Sequence, residues 1–67
     1  MNDDAKYPLT QEQAAAYLGV TQETLRKWRR ERYGPQYLRL SLRFIRYRVE
    51  DLDAFLAVHV VDPQAKK

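Results

Sequence analysis

The chain has 67 residues, a formal net charge of +3, no cysteine and one histidine. This length limits it to one small domain with a thin core. The lack of thiols excludes disulfides and thiolate metal sites, and His59 alone cannot build a zinc site. No apolar run approaches the roughly 20 residues that cross a bilayer, and the first residues show no signal-peptide pattern. We therefore expect a cytoplasmic protein that needs no cofactor.

The first residues with a regular pattern follow a polar stretch. We expect residues 1–8 to be flexible, residues 9–60 to form the folded domain and residues 61–67 to be a polar tail. Thr10 is a good N-cap, and Gln13 three residues later completes a capping box. Gly19 supplies a helix stop. The first helix is predicted over residues 11–18.

A second helix is predicted almost immediately afterwards, over residues 22–32. Thr21 is its N-cap, Leu25 and Trp28 share its buried side, and Gly34 and Pro35 end it. Two helices joined by a short turn that contains glycine are typical of a helix-turn-helix.

The next segment alternates with a period of two residues, which predicts two antiparallel strands over residues 37–40 and 44–47. If Ile45 and Tyr47 face the core, Phe44, Arg46 and Arg48 face outward. A third helix is predicted over residues 50–59, because apolar residues recur at helical spacing and acids occupy the first turn. The order helix, helix, hairpin, helix is that of a winged helix-turn-helix, an α+β fold that is mainly α.

The charge is concentrated in the middle of the chain. Between Arg26 and Arg48 stand nine basic residues and one acid, a net +8 over 23 residues, while residues 1–25 sum to −3 and residues 49–67 to −2. Aromatic and aliphatic residues interrupt the basic run, unlike in a disordered basic tail. A folded basic surface of this kind attracts a polyanion, and double-stranded DNA is the expected partner.

The second helix carries the first group of candidate DNA contacts. At about 100° per residue, its polar face collects cations, and Arg26 and Arg30, one turn apart, suit guanine contacts in the major groove. Glu23 has two interpretations: it accepts from cytosine, or it pairs with Lys27 and orients it. Thr21 could bind a phosphate. The alternative for the whole face is a solvated charged helix. The candidates are Thr21, Gln22, Glu23, Thr24, Arg26, Lys27, Arg29 and Arg30.

The hairpin carries the second group, Arg39, Arg43, Arg46 and Arg48. A wing meets the DNA backbone or the minor groove, whose negative potential attracts arginine. Arg43 lies nearest the tip. Tyr47 is either a core aromatic or a phosphate contact. Phe44 has three open interpretations: packing on the third helix, a wedge in DNA, or contact with a neighbouring copy.

Several stretches resemble excisionase-type, MerR-like winged helix-turn-helix domains. They cover residues 9–21 (LTQEQAAAYLGVT), 24–29 (TLRKWR), 34–37 (GPQY), 45–48 (IRYR) and 50–56 (EDLDAFL). The resemblance implies that Thr21, Thr24, Arg26, Lys27 and Arg29 form the DNA face of the helix, and Arg43 and Arg46 that of the wing. The sequence departs from the family pattern at the wing turn, which lacks glycine, and at Phe44. The exposed pair Leu42 and Phe44 is a candidate for protein–protein contact.

The resemblance implies a non-enzymatic protein of phages and mobile elements. Excisionases of this kind bind repeated sites, often cooperatively, bend DNA and promote excision by an integrase, their recombinase partner. They act in the bacterial cytoplasm, at the nucleoid. Two alternatives stay open: a small prophage-type transcriptional regulator that uses the same surface, and a protein-interaction module whose basic face docks an acidic partner.

Overall fold

A computed structural model of the chain describes residues 8–61 and residue 63. It contains, in order, α1 (Gln11–Leu18), α2 (Gln22–Arg30), β1 (Leu38–Ser41), β2 (Phe44–Arg46) and α3 (Val49–Ala57). This order confirms the predicted winged helix-turn-helix. The predicted flexible segment 1–8 and polar tail 61–67 lie outside the described residues, except for Pro8, Val61 and Pro63.

Local capping starts both helices of the helix-turn-helix. The Thr10 hydroxyl accepts from the Gln13 N–H at 3.1 Å, and the Gln13 side chain accepts from the Thr10 N–H at 2.9 Å, which completes the predicted capping box. Gly19 ends α1 with φ of +77°, a left-handed conformation that glycine adopts without strain. The Thr21 hydroxyl then accepts from the Thr24 N–H at 3.1 Å and starts α2.

The second helix ends at Arg30, two residues before its predicted end. Arg32 adopts a left-handed conformation with φ of +58°. The Tyr33 N–H consequently bonds back to the Trp28 carbonyl at 2.8 Å, which closes the helix end. Gly34 lies against the Trp28 side chain, and a Cβ at this glycine would come within 3.1 Å of the indole. The Gly-Pro step therefore follows a helix end that Arg32 has already made.

The first strand covers Leu38–Ser41 rather than the predicted residues 37–40, and the register of the hairpin is irregular. Leu38 pairs with Arg46, Arg39 with Ile45 and Ser41 with Phe44, so the strand bulges between Arg39 and Ser41. The bulge extends β1 to Ser41 and turns Leu40 outward, where it is exposed.

Residue 47 lies outside β2, contrary to the predicted strand 44–47. The Tyr47 backbone instead forms a bridge with Leu9, through two hydrogen bonds of 2.6 and 2.8 Å.

The third helix covers Val49–Ala57 rather than the predicted residues 50–59. At this earlier end, the His59 Nδ1 lies 2.7 Å from the Phe55 carbonyl, the group that the His59 backbone N–H would bond to if the helix continued. The backbone N–H of His59 bonds to Leu56 instead. The buried core brings residues from all three helices together with the residue after β2; it consists of Ala14, Ala15, Leu25, Tyr47 and Leu52.

Candidate nucleic-acid interface

One open groove lies between α2 and the hairpin. It encloses ≈ 540 Å³, and arginines from both elements dominate its lining. Leu25 anchors α2 in the core, and the partly buried Ile45 packs β2 against that core. The helix and the hairpin therefore pack on the same core. The groove arginines are Arg26, Arg29 and Arg30 from the helix and Arg39, Arg43 and Arg46 from the hairpin region.

The cations of α2 differ in their partners. Arg26 pairs with Glu23 at 2.8 Å, and Lys27 pairs with Glu31 at 3.9 Å. Of the two interpretations of Glu23, the pair with Lys27 does not form in the structure, because the Glu23 carboxylate bonds to the guanidinium of Arg26, one residue nearer. Arg26 lowers the pKa of Glu23 by hydrogen bonding and by its charge. Both ion pairs are exposed, so they hold their side chains only weakly.

Arg29 has an uncharged partner. Its guanidinium donates to the Tyr47 hydroxyl at 2.8 Å, and its Cζ lies 5.7 Å from the centroid of the Tyr37 ring. The Tyr47 ring is only 1% exposed. Of the two interpretations of Tyr47, the core aromatic is the one that the structure supports, and its hydroxyl is bonded to Arg29.

The hairpin arginines lie along the other wall. Arg39 bonds to the Leu42 carbonyl at 3.3 Å, and its Cζ is 5.9 Å from the Tyr37 ring centroid. Arg46 lies over the Phe44 ring, with its Cζ 4.7 Å from the centroid. This cation–π contact gives the exposed Phe44 a structural role that the sequence did not predict.

Arg48 lies apart from the groove arginines. As the N-cap residue of α3, it makes hydrogen bonds of 2.7 and 3.2 Å to the Asp51 carboxylate, and it lies 3.9 Å from Glu50. These carboxylates raise the pKa of Arg48, with the Asp51 hydrogen bond as the largest cause. Arg48 therefore contacts carboxylates in the first turn of α3. The sequence pattern predicts it instead as a wing contact to DNA.

The remaining predicted contacts lie at the start of α2 and at the hairpin tip. The Thr21 hydroxyl also bonds to the Thr24 hydroxyl at 3.0 Å, so both threonines serve the N-cap. Gln22 accepts from the Gln11 side chain at 3.0 Å. Leu42 is 81% exposed and Phe44 is 53% exposed.

Two residues that line the groove, Gln11 and Tyr37, are not among the predicted contacts. The sequence pattern places Gln11 at the start of α1 and Tyr37 in the first strand. The signal that could have found Tyr37 is its position in the Gly-Pro-Gln-Tyr step, which places it between the two basic elements.

In the described part of the chain, the basic residues of the groove outnumber their ion-pair partners. Glu23 pairs with Arg26, and no carboxylate pairs with the other five groove arginines there. Across residues 8–61 and 63, the structure also contains no helix long and apolar enough to span a membrane. A groove with this excess of guanidinium groups attracts anions, and arginine forks match phosphate and guanine geometry.

The comparisons with known proteins agree with the helix-turn-helix fold of the structure. A family model described as a helix-turn-helix domain matches residues 8–58, and the chain belongs to this family. The family includes excisionase-type DNA-binding domains and is typically non-enzymatic. Membership in it indicates DNA binding. A comparison with curated proteins gives no match.

Proposed function

We propose that the protein binds double-stranded DNA sequence-specifically, with α2 in the major groove and the hairpin on the adjacent backbone or minor groove. The observation that carries the proposal is the shared groove, in which arginines of the helix and of the hairpin face one space. A major groove admits one α-helix, and arginine is the commonest side chain for reading guanine there. In a winged arrangement, a neighbouring arginine on a hairpin suits phosphate or the narrow minor groove.

The proposed contacts follow from the groove. Arg26, Arg29 and Arg30 face bases or phosphates from α2, and Arg39, Arg43 and Arg46 contact the DNA from the wing. Polar residues at the exposed start of α2, Thr21, Gln22, Glu23 and Thr24, complete the proposed interface with Lys27.

We further propose the biological role of an excisionase, or recombination directionality factor. In this role several copies bind repeated sites, bend the DNA and promote excision by an integrase at the bacterial nucleoid. The support is the membership in a family that includes excisionase-type domains. The exposed apolar tip formed by Leu42 and Phe44 supplies a surface for contact between adjacent copies.

A salt titration tests the DNA-binding proposal. Affinity for duplex DNA should fall linearly on a log–log plot against salt, with a slope of about −0.9 per phosphate neutralised. The double variant Arg26→Ala/Arg43→Ala should weaken binding strongly. Arg32→Ala removes one positive charge from the same basic segment but outside the groove, so it is the matched control for each of the single variants Arg26→Ala and Arg43→Ala. Equal affinity of the double variant and the wild type would refute the proposed groove, and salt-independent binding would refute the electrostatic mechanism.

Circular-permutation gel shifts on the natural site separate the excisionase from a transcriptional regulator that uses the same surface. The excisionase predicts several complexes of increasing size and a mobility that depends on the position of the site, because the DNA is bent. A single unbent complex would favour the regulator. Strong binding to an acidic protein without DNA binding would favour the interaction module.

A further inference from the structure

Arg29 stands out among the cations of α2 by the chemistry of its partner. Arg26 and Lys27 form ion pairs with carboxylates, whereas Arg29 donates to a neutral phenol at 2.8 Å. A carboxylate competes with a phosphate for a guanidinium, but a hydroxyl leaves its charge uncompensated. Arg29 therefore has a hydrogen-bond partner, and its positive charge remains uncompensated in the groove.

The partner of Arg29 is itself held by burial and by backbone hydrogen bonds. The ring of Tyr47 is 1% exposed, and the backbone of Tyr47 is bonded on both sides to Leu9. The Tyr37 ring packs against it, with centroids 5.9 Å apart. Because the ring of Tyr47 is buried and its backbone is hydrogen-bonded, its hydroxyl has a defined position. A hydrogen bond to that hydroxyl can therefore orient the flexible side chain of Arg29.

We propose that Tyr47 and Tyr37 are positioning residues that hold Arg29 in the geometry in which it contacts DNA. The inference rests on the proposed DNA-binding function and adds the device that orders its recognition helix. The bond to Tyr47 engages one of the N–H donors of Arg29, and the rest of the fork is left for a phosphate or a guanine edge. Because the side chain is ordered before binding, less rotamer entropy is lost when DNA arrives.

The Tyr37 ring also links the helix to the wing. The Cζ of Arg29 lies 5.7 Å from its centroid and the Cζ of Arg39 lies 5.9 Å from it. Both distances fall within the range of cation–π attraction. One aromatic ring thus restrains a guanidinium from each wall of the groove, so the two walls present their charges in a defined relative position.

Removing the hydroxyl of Tyr47 tests whether it positions Arg29 for DNA binding. The probes are two duplexes of about 20 bp: the sequence that the wild type selects most strongly from a random library, and an unselected random sequence. Tyr47→Phe keeps the buried ring, and it should weaken binding to the selected duplex about fivefold and to the random duplex less. Tyr17→Phe is the matched control, because it removes a hydroxyl that bonds to Asp53, away from the groove, and it should leave both affinities unchanged.

A double-mutant cycle with Arg29→Ala distinguishes positioning from a general effect on the fold. If Tyr47 acts through Arg29, Tyr47→Phe has no further effect on DNA affinity once Arg29 is alanine. Additive losses, or an unchanged affinity of Tyr47→Phe for the selected duplex, would overturn the inference. Tyr37→Leu gives a second route, and it should also weaken binding to the selected duplex.

A measurement without DNA separates this inference from the proposed function. ¹⁵N relaxation at Nε of Arg29 should report a more ordered side chain in the wild type than in Tyr47→Phe. Equal order in the two proteins would refute the positioning role even if the protein binds DNA. A wild type with ordered Arg29 that retains no duplex from the random library would refute the DNA-binding function instead.

Discussion

The two walls of the groove are held in place by different kinds of interaction. Helix α2 is capped at Thr21, anchored by the fully buried Leu25 and closed at its end by the left-handed Arg32. The wing consists of a four-residue and a three-residue strand with an irregular register. Its tip residue Leu42 is 81% exposed. The helix is thus fixed by the core, and the wing tip by its own backbone pairing.

This difference matches the role that each wall has in the proposed complex with DNA. Reading bases needs donors at fixed positions, because a bidentate contact tolerates little displacement. Contacts to phosphates carry no sequence information and tolerate adjustment of the contacting side chain. A core-anchored helix therefore suits recognition, and a hairpin with an exposed tip suits attachment to the backbone or contact with a neighbouring copy.

Truncating the helix anchor gives the largest expected effect. Leu25→Ala removes a buried side chain from a close-packed core and should lower the free energy of unfolding by about 2–5 kcal/mol. A domain of this size has a core that rarely supplies more than about 3–5 kcal/mol, so circular dichroism should show extensive loss of helix. Leu42→Ala removes the same atoms from the wing tip and should change stability by less than about 0.5 kcal/mol. Similar destabilisation by both variants would refute the contrast between the walls.

The parts of the fold that were predictable from sequence are those set by local chemistry. The starts of α1 and α2 follow from Thr10, Gln13 and Thr21, whose side chains bond to the backbone within three residues. The predicted bounds of α1 agree with the structure, as does the start of α2. The concentration of charge also identified the elements that line the groove.

The parts that were missed depend on contacts between distant residues or on a choice between similar local geometries. The bridge between Leu9 and Tyr47 joins residues far apart in sequence, and no local pattern indicates it. Glu23 had two cations within reach, and the structure pairs it with Arg26. The bond from Arg29 to Tyr47 requires the hairpin to fold back onto α2, so the helix pattern alone could not predict it.

Two single substitutions compare base reading with backbone contact. Arg30→Ala should weaken binding to the duplex that the wild type prefers by about 1–3 kcal/mol and relax its base preference. Arg43→Ala should weaken preferred and random duplexes alike and reduce the salt slope by about 0.9. Affinities of both variants for both duplexes, measured over a range of salt, check this division. A loss of base preference in Arg43→Ala with none in Arg30→Ala would reverse the roles of helix and wing.

Neutralising Glu23 should have the smallest effect, because the Glu23 and Arg26 side chains are 75% and 46% exposed. Arg26 lowers the pKa of Glu23. The pair therefore stabilises the fold above the unfolded-state pKa of Glu23, and this contribution is lost as the pH falls through the lower folded-state pKa. Glu23→Gln should remove this acid-side dependence from the unfolding curve.

The same substitution decides between the two roles of Glu23 at the DNA. If Glu23 only restrains Arg26, Glu23→Gln frees a guanidinium and removes a negative charge, so random and preferred duplexes should both bind a fewfold more tightly. If Glu23 accepts from a cytosine, the preferred duplex should bind more weakly while the random duplex gains. The two roles predict opposite changes in affinity for the preferred duplex. Comparing the affinities of the wild type and Glu23→Gln for this duplex therefore shows whether Glu23 reads a base alongside the arginines of α2.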